Sequence, residues 1–232
     1  MGKSIYLSPS AQENNTGVLN YGDEERRMNE FCDKLIWYMN QGKGGITIYR
    51  NNPNMSLAQI IEDSNAKNPD FHFAIHSNAG GNGSGTEIYY HYRNTGEGIR
   101  FAQMMYNAIA PITISADRGC KADNTLYSIG LAELRETNAP ASLIEIMFHD
   151  NERDVVDYFN KIELLALTMA RTIYEFFGIA YNYVSSEKER AIKVLQSVSN
   201  YANKVWIPEF EVLANRGLNI WGLILLIKQA ED

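Results

Sequence analysis

Two nearly continuous apolar segments constrain the fold of this chain more than any other feature of its sequence. They are FHFAIHS at 71–77 and ASLIEIMF at 141–148. Strands that are exposed on one face alternate apolar and polar residues, whereas strands buried on both faces are apolar throughout. Both segments are therefore predicted to be central strands of a sheet that is covered on both sides.

The rest of the first 180 residues alternates between strand-like and helical patterns. Further short apolar runs predict strands at 4–8, 45–50, 86–92 and 125–129. Apolar residues at helical spacing predict helices over 24–40, 56–66, 97–110 and 152–178. Strands that alternate with helices require crossover connections. The sequence thus predicts an α/β fold, in which a twisted, mostly parallel sheet of about six strands is flanked by helices.

The pattern changes after about residue 180. Ser186 and Glu189 form an S-x-x-E capping box ahead of apolar residues at helical spacing, and no strand-like run follows. We therefore predict a large domain over residues 1–180 and a small all-helical appendage over 184–232.

Charge and composition exclude some classes of function. The net charge of −7 argues against nucleic acid binding, which needs basic patches, and disfavours anionic membranes. The first residues contain no apolar stretch typical of a signal peptide, and the longest apolar run, near the end, is too short for a membrane-spanning helix. The two cysteines are far apart and form no C-x-x-C unit, so both are predicted to be buried free thiols. These features predict a chain that is made and kept soluble.

Polar residues occur where ligands usually bind in such a fold, beyond the carboxyl ends of the strands. His76 ends one apolar strand and Glu145 lies inside another. A carboxylate in an apolar strand must be paired, protonated or bound to a metal. Taken singly, Glu145 is as compatible with a structural ion pair as with catalysis, and His76 with a core or surface histidine. Glu24 and Glu25 are explained equally well by the dipole of the helix that they open.

Three segments taken together resemble a known family. AIHSNAGG, GTEIYYHY and LRETNAPASLIEIMFHDN resemble, in order and spacing, the motifs of the zinc-dependent N-acetylmuramoyl-L-alanine amidases. These enzymes hydrolyse the amide between the lactyl group of N-acetylmuramic acid and L-alanine in peptidoglycan. The resemblance covers roughly residues 3–178 and implies an α/β catalytic domain with one zinc ion.

The resemblance also implies roles for particular residues. His76 and Glu25 correspond to zinc ligands, and Glu145 to the catalytic carboxylate. Glu25 is preferred to Glu24 because the family's ligand is followed three residues later by an apolar residue, here Met28. Four further residues are expected to contact or position substrate, with loop positioning as the other role open to Arg135 and Asn151: Asn78, Arg135, His149 and Asn151.

The chain departs from the family at the first zinc ligand. The family normally has a histidine in a D-P-G-H-G-G segment after the first strand, whereas this chain reads SPSAQENN. By position, Ala11 or Gln12 replaces that histidine, and the loop resembles a Gram-positive and phage branch of the family that reads S-P-S-x-Q. Gln12 is therefore predicted to be the third ligand or to line the site. The alternative is a catalytically weak relative that binds peptidoglycan or regulates another hydrolase.

The resemblance extends to partners and setting. It implies peptidoglycan as the substrate and action on the bacterial cell wall after release from the cytoplasm, as in a phage or prophage endolysin. A spore or autolytic amidase fits equally, whereas a zinc exopeptidase lacks the second and third motifs. About fifty residues make a marginal core alone, so residues 184–232 are expected to pack on the larger domain, to form a homodimer or to bind the wall, with the last two favoured.

Overall fold

A computed structural model describes residues 2–42, 44–93, 96–113 and 118–183. Within these residues, the chain forms one six-stranded sheet with the order β2-β1-β3-β6-β4-β5. All neighbouring strands are parallel except β4 and β6, which are antiparallel. The strands are β1 Lys3–Pro9, β2 Ile46–Arg50, β3 Phe71–Asn78, β4 Glu87–Tyr90, β5 Cys120–Ala122 and β6 Ala141–Phe148.

Helices connect most of these strands. They are α1 Glu24–Gln41, α2 Leu57–Lys67, α3 Glu97–Ile109, α4 Ala132–Glu136 and α5 Glu152–Phe176. The Ser56 side chain caps α2 in a reciprocal capping box with Gln59, and α2 begins one residue later, as the sequence predicts. The predicted α/β class, the mostly parallel sheet and the flanking helices are thus confirmed.

The two faces of the sheet are covered unequally. Phe71, Phe73 and Ile75 of β3 face the larger core, which also contains buried residues of α1, α3 and α5. On the opposite face, Ala74 of β3 packs with Leu143 of β6 and Leu134 of α4 in a smaller cluster. Because side chains alternate along a strand, His72 and His76 share this second face with Ala74. The central positions of β3 and β6 also confirm the prediction made from their apolar sequences.

The predicted strand at 125–129 is wrong. The edge strand is β5, at Cys120–Ala122, and a short 3-10 turn follows it at Asp123–Thr125. The Asp123 carboxylate is fully buried and accepts backbone N–H bonds from Tyr92 and Leu131, which draws the segment into a loop. Tyr127 and Ile129 are consequently about 60% exposed, at 61% and 62%, although their types are common in strands.

Other sequence predictions have mixed outcomes. Cys32 and Cys120 are free thiols, Cys32 buried and Cys120 only partly so. No helix among the described residues has the length and apolar character needed to cross a membrane. The predicted helical appendage at 184–232 lies outside the described residues.

Candidate active site

The site begins as a row of polar side chains on adjacent strands. His76 of β3 is in register with Glu145 of β6, and Glu145 is in register with Glu87 of β4. Residues paired in this way project from the same face of a sheet. The row lies on the face that carries the smaller apolar cluster, at the carboxyl end of β3, where an α/β sheet usually binds its ligands.

Two side chains from other segments meet His76 at its Nδ1 atom. Glu24 Oε1 lies 3.0 Å from Nδ1. Gln12 Nε2, from the loop after β1, lies 3.4 Å from the same atom. Burial would lower the pKa of His76, but its contacts with the carboxylates of Glu133 and Glu24 raise that pKa well above its ordinary value. The structure therefore places Gln12, the residue predicted to be a ligand or to line the site, beside His76.

Glu24, rather than Glu25, contacts His76. Glu24 is fully buried at the start of α1, whereas Glu25 is partly exposed and lines the outer cleft. The Asp23 side chain accepts a hydrogen bond from Arg26 N and so fixes where the helix begins. Successive helical residues are separated by about 100°, so the residue directly after the cap points inward and the next one points away. The structure therefore brings Glu24 beside His76, whereas the sequence predicts Glu25 as the ligand.

A chain of hydrogen bonds supports Glu24 from behind, and we call it the Glu24 network. Asn15 Nδ2 donates to Glu24 Oε2 at 2.6 Å, and His149 Nε2 lies 3.1 Å from Asn15 Oδ1. His149 Nδ1 lies 2.9 Å from Ser77 Oγ, which in turn lies 2.6 Å from the Tyr21 hydroxyl. Because the carboxylate accepts only, Asn15 must present its oxygen to His149, so His149 carries its proton on Nε2.

His149 is thus placed behind the site and not at its mouth. Its side chain is fully buried and stacks on Tyr21. Burial lowers the pKa of His149, which suits the neutral ring that the Glu24 network requires. The structure gives His149 no surface with which to touch a substrate.

A second set of hydrogen bonds, which we call the Glu133 network, lies on the other side of His76. Glu133 Oε1 accepts from Ser8 Oγ at 2.5 Å and lies 2.9 Å from His72 Nε2. Ser64 Oγ lies 2.8 Å from His72 Nδ1. Burial opposes ionisation of Glu133, but contacts with His72 and His76 hold its pKa well below the usual range. Glu133 is therefore an ionised carboxylate inside the protein.

Sequence reasoning missed Glu133. It lies between Leu131 and Leu134, and Leu134 is buried on the smaller core. A glutamate within an otherwise apolar turn was the available signal, since glutamates are rarely buried without partners. The partners themselves are between about 60 and 125 residues away along the chain, so no local pattern could identify them.

Glu145 differs from both glutamates described above. Its Oε2 atom is buried and, among the described residues, has no hydrogen-bond partner. The pKa of Glu145 is raised to about 8, chiefly by burial; the charge of His76 opposes this rise, and the carboxylates of Glu24 and Glu87 add to it. A group with this pKa can both take up and release a proton near neutral pH.

Glu87, beside Glu145, is fully paired. Lys121 Nζ lies 2.6 Å and Arg118 Nε 3.1 Å from its Oε2 atom, and Asn78 Nδ2 donates to Oε1 at 2.6 Å. Burial alone would raise the pKa of Glu87, but the two cations lower it. Asn78 also lines the cleft, so it is placed both to hold Glu87 and to meet a ligand.

Two other residues expected near substrate hold loops. Arg135 donates to the backbone oxygens of Ile129 and Gly130. Asn151 caps α5 and donates to the backbone oxygen of Gly83. Loop positioning, one of the two roles expected from sequence, is what the contacts of these residues support.

An open cleft of about 1020 Å³ leads to the site. Its lining includes Gln12, Glu24, Glu145 and Asn78, together with the exposed Tyr127 at 61% exposure. A cleft of this size can hold an extended, polar molecule, and the buried Glu145 faces it from the floor of the sheet.

The donor atoms near His76 fit a zinc ion when an amide oxygen is counted among its ligands. No three His, Cys, Asp or Glu side chains in the described part of the chain converge closely enough to hold a metal. His76 and Glu24 supply two such donors, and the Gln12 amide can supply an oxygen after a half-turn, because its nitrogen and oxygen are interchangeable in placement. Beside them, Glu145 Oε2 is buried without a partner within the described ranges, which is the arrangement expected where a cation and a reacting group meet.

Comparisons with known proteins agree with one another. A family model described as N-acetylmuramoyl-L-alanine amidase matches residues 5–173. No curated protein sequence matches the chain significantly.

Solved structures match over the same part of the chain. An N-acetylmuramoyl-L-alanine amidase from Clostridium difficile 630 is 21% identical with a TM-score of 0.67, covering 76% of this chain and 97% of that one. The catalytic domain of CwlV from Bacillus (Paenibacillus) polymyxa is 21% identical with a TM-score of 0.66, covering 76% and 99%. The catalytic domain of the CD27L endolysin, which targets Clostridia difficile, is 19% identical with a TM-score of 0.59, covering 75% and 98%. These TM-scores establish a shared fold.

Proposed function

Because the chain belongs to the N-acetylmuramoyl-L-alanine amidase family, we propose that it hydrolyses the amide between the lactyl group of N-acetylmuramic acid and L-alanine in peptidoglycan. The observation that carries this proposal is the position of Glu145. Its Oε2 atom, which is buried and has no hydrogen-bond partner in the part of the chain that the structure describes, lies on the strand next to His76 and faces an open polar cleft. A reacting carboxylate needs this combination of access and freedom from partners.

We propose that one zinc ion is held by His76 Nδ1, Glu24 Oε1 and the Gln12 amide oxygen. Three protein ligands, with a remaining position open to water or substrate, are typical of catalytic zinc sites. An amide oxygen is a weaker ligand for zinc than imidazole, so affinity should be lower than in a site with two histidines. When bound, zinc supplies polarisation of the substrate carbonyl and lowers the pKa of water.

Glu145 moves the protons in the proposed reaction. Its Oε2 atom accepts a proton from the attacking water as the new carbon–oxygen bond forms. It then donates that proton to the L-alanine nitrogen as the carbon–nitrogen bond breaks, which leaves a free amine and a free lactyl carboxylate. One carboxyl group can perform both steps because its pKa of about 8 lies close to neutral pH.

Asn78 and Glu87 keep this region ordered. Asn78 holds Glu87, which in turn binds Lys121 and Arg118, so the cations are fixed beside the reacting carboxylate. Such fixed charges stabilise developing charge without having to reorganise during the reaction. We infer that Asn78, which lines the cleft, also contacts substrate there.

The cellular role that we propose is lysis of the bacterial cell wall, as a phage-derived or prophage-derived lysin. The first loop, SPSAQ, supports this proposal through its resemblance to the S-P-S-x-Q branch described above. We further propose that residues 184–232 bind the wall or form a homodimer.

The test is digestion of purified peptidoglycan by the full chain with zinc supplied. We expect new L-alanine amino termini and no new reducing sugar ends, together with about one zinc per chain. Glu145→Gln should retain zinc and lower the rate by at least about 100-fold, because it removes the proton-transfer group alone. Release of reducing ends would indicate a glycosidase, and zinc-free, inactive protein that still binds the wall would support the alternative of a binding or regulatory protein.

A further inference from the structure

The Glu133 network has no assigned part in the proposed reaction, although it touches the proposed metal ligand. His76 uses Nδ1 toward Glu24 and Gln12, so its other ring nitrogen, Nε2, points elsewhere. Glu133 Oε2 is 3.7 Å from that nitrogen. This distance exceeds a normal hydrogen bond by about half an ångström, so a small movement of either side chain would close it.

The other oxygen of Glu133 is already committed. Oε1 accepts from Ser8 Oγ and lies 2.9 Å from His72 Nε2, and the Ser64 hydroxyl lies at His72 Nδ1. Because a carboxylate only accepts, His72 must carry its proton on Nε2 and accept from Ser64 at Nδ1. These bonds fix the plane of the carboxyl group and direct Oε2 toward His76.

The electrostatic setting favours the same arrangement. Glu133 is 5% exposed and His72 fully buried, so the contact between them is shielded from water. His72 also stacks on Tyr6, with 5.3 Å between ring centroids, which fixes its position in the sheet. A buried carboxylate held rigidly on one side can orient a neighbouring imidazole on the other.

We propose that Glu133 is a positioning residue for the metal site: its Oε2 atom accepts the Nε2–H of His76 and thereby orients the ring so that Nδ1 is the nitrogen left for the zinc ion. A carboxylate behind a ligating histidine fixes the tautomer and the ring orientation and raises the basicity of the ligand. This inference rests on the proposed zinc site. The role proposed for Glu133 does not depend on which substrate is cleaved.

The spectroscopic test uses the unaltered full chain. Long-range ¹H–¹⁵N correlation on zinc-loaded protein should show that His76 carries its proton on Nε2 and is metallated at Nδ1. The opposite assignment, with metal on Nε2, would overturn the inference even if zinc binds and the enzyme is active. This measurement does not require any variant to fold.

Variants then measure the strength of the effect. Glu133→Gln should weaken zinc binding by about 10–100-fold in competition with a chromophoric chelator. Glu136→Gln, which removes an exposed charge from the same short helix, should leave it unchanged. Thr137→Val removes a buried hydrogen bond to the Glu133 backbone oxygen and controls for loss of stability alone. Thermal unfolding of each metal-free variant reports that loss separately.

The two proposals fail in different ways. If wild-type protein does not take up zinc, the proposed metal site is wrong and this inference falls with it. If wild type binds zinc and Glu133→Gln binds it equally well, only the role of Glu133 is wrong. If Thr137→Val weakens zinc binding as much as Glu133→Gln does, the effect is structural and the inference is overturned.

Discussion

The Glu24 and Glu133 networks lie on opposite sides of His76. They differ in which group, the carboxylate or the imidazole, faces the site and which lies behind. In the Glu24 network the carboxylate faces the site and a neutral imidazole, His149, lies behind it through Asn15. In the Glu133 network the imidazole of His76 faces the site and the carboxylate lies behind. Each network contains a serine beside a histidine, Ser77 in one and Ser64 in the other.

The difference shows how two unlike ligands can be fixed by the same few residue types. A carboxylate ligand needs a donor behind it, which the Asn15 amide supplies. An imidazole ligand needs an acceptor behind it, which is the role proposed for the Glu133 carboxylate. The Oε2 atom of Glu145 has no such partner among the described residues. Of the proposed ligands, Glu24 and His76 thus have a group behind them, whereas this oxygen of the residue proposed to move protons is left free.

Replacing the two neighbouring glutamates of α1 one at a time is expected to give the largest effect on zinc binding and tests this comparison most directly. Glu24→Gln should weaken zinc binding by more than about 100-fold, beyond the range typical of residues behind a ligand. Glu25→Gln is the matched control, because Glu25 lines the cleft without contacting His76 in the structure. Zinc dissociation constants measured for both variants decide the matter. Loss of zinc in Glu25→Gln with retention in Glu24→Gln would restore the assignment made from sequence.

A smaller effect is expected from the middle of the Glu24 network. Asn15→Ala removes the donor to Glu24 Oε2 and separates Glu24 from His149, so zinc binding should weaken by about tenfold. Asn14→Ala, at the exposed neighbouring position in the cleft, should not change it. Chelator competition on both variants is the measurement. Equal affinity in Asn15→Ala and wild type would mean that the Ser77 backbone N–H, 3.4 Å from Glu24 Oε1, suffices to hold the carboxylate.

Much of the fold could be predicted because its signals are local. The apolar runs at β3 and β6 identify central strands, and the Ser56 cap identifies the start of α2. The strand predicted at 125–129 was wrong, because buried Asp123 forms a loop by accepting hydrogen bonds from the backbone N–H groups of Tyr92 and Leu131. A strand pattern in the side chains could not reveal that competing interaction.

The candidate site shows the same limit at finer scale. His76 and Glu145 were identifiable because strand ends and buried carboxylates are unusual places for polar residues. The choice between Glu24 and Glu25 depended on a single residue of helix phase, which the Asp23 cap sets. Glu133 could not be placed, because its role arises only when α4 is folded against β1 and β3.

Glu145 and Glu87, the free and the paired glutamate on neighbouring strands, provide the last test, in which the smallest effect is expected. The quantity measured is the stability of metal-free protein. Glu145 has a folded-state pKa of about 8, raised above its unfolded value of about 4.3. Between these values the unfolded chain loses the proton that the folded chain keeps, so the free energy of unfolding falls as pH rises. Glu145→Gln should therefore increase the free energy of unfolding by about 1 kcal/mol or more at neutral pH, and by progressively less toward pH of about 4.

Glu87→Gln should act in the opposite direction. The pKa of Glu87 is lowered by Lys121 and Arg118 against the effect of burial, so its charge stabilises the fold above the unfolded pKa, and this stabilisation is lost as pH falls through the folded pKa. Both cations are about one-third exposed, at 34% and 31%, so we expect a loss of only about 1 kcal/mol at neutral pH. Urea unfolding of the two variants and wild type across this pH range measures both effects. If Glu145→Gln and Glu87→Gln shift stability in the same direction, Glu145 is paired in solution, and the contrast between fixed ligands and a free base does not hold.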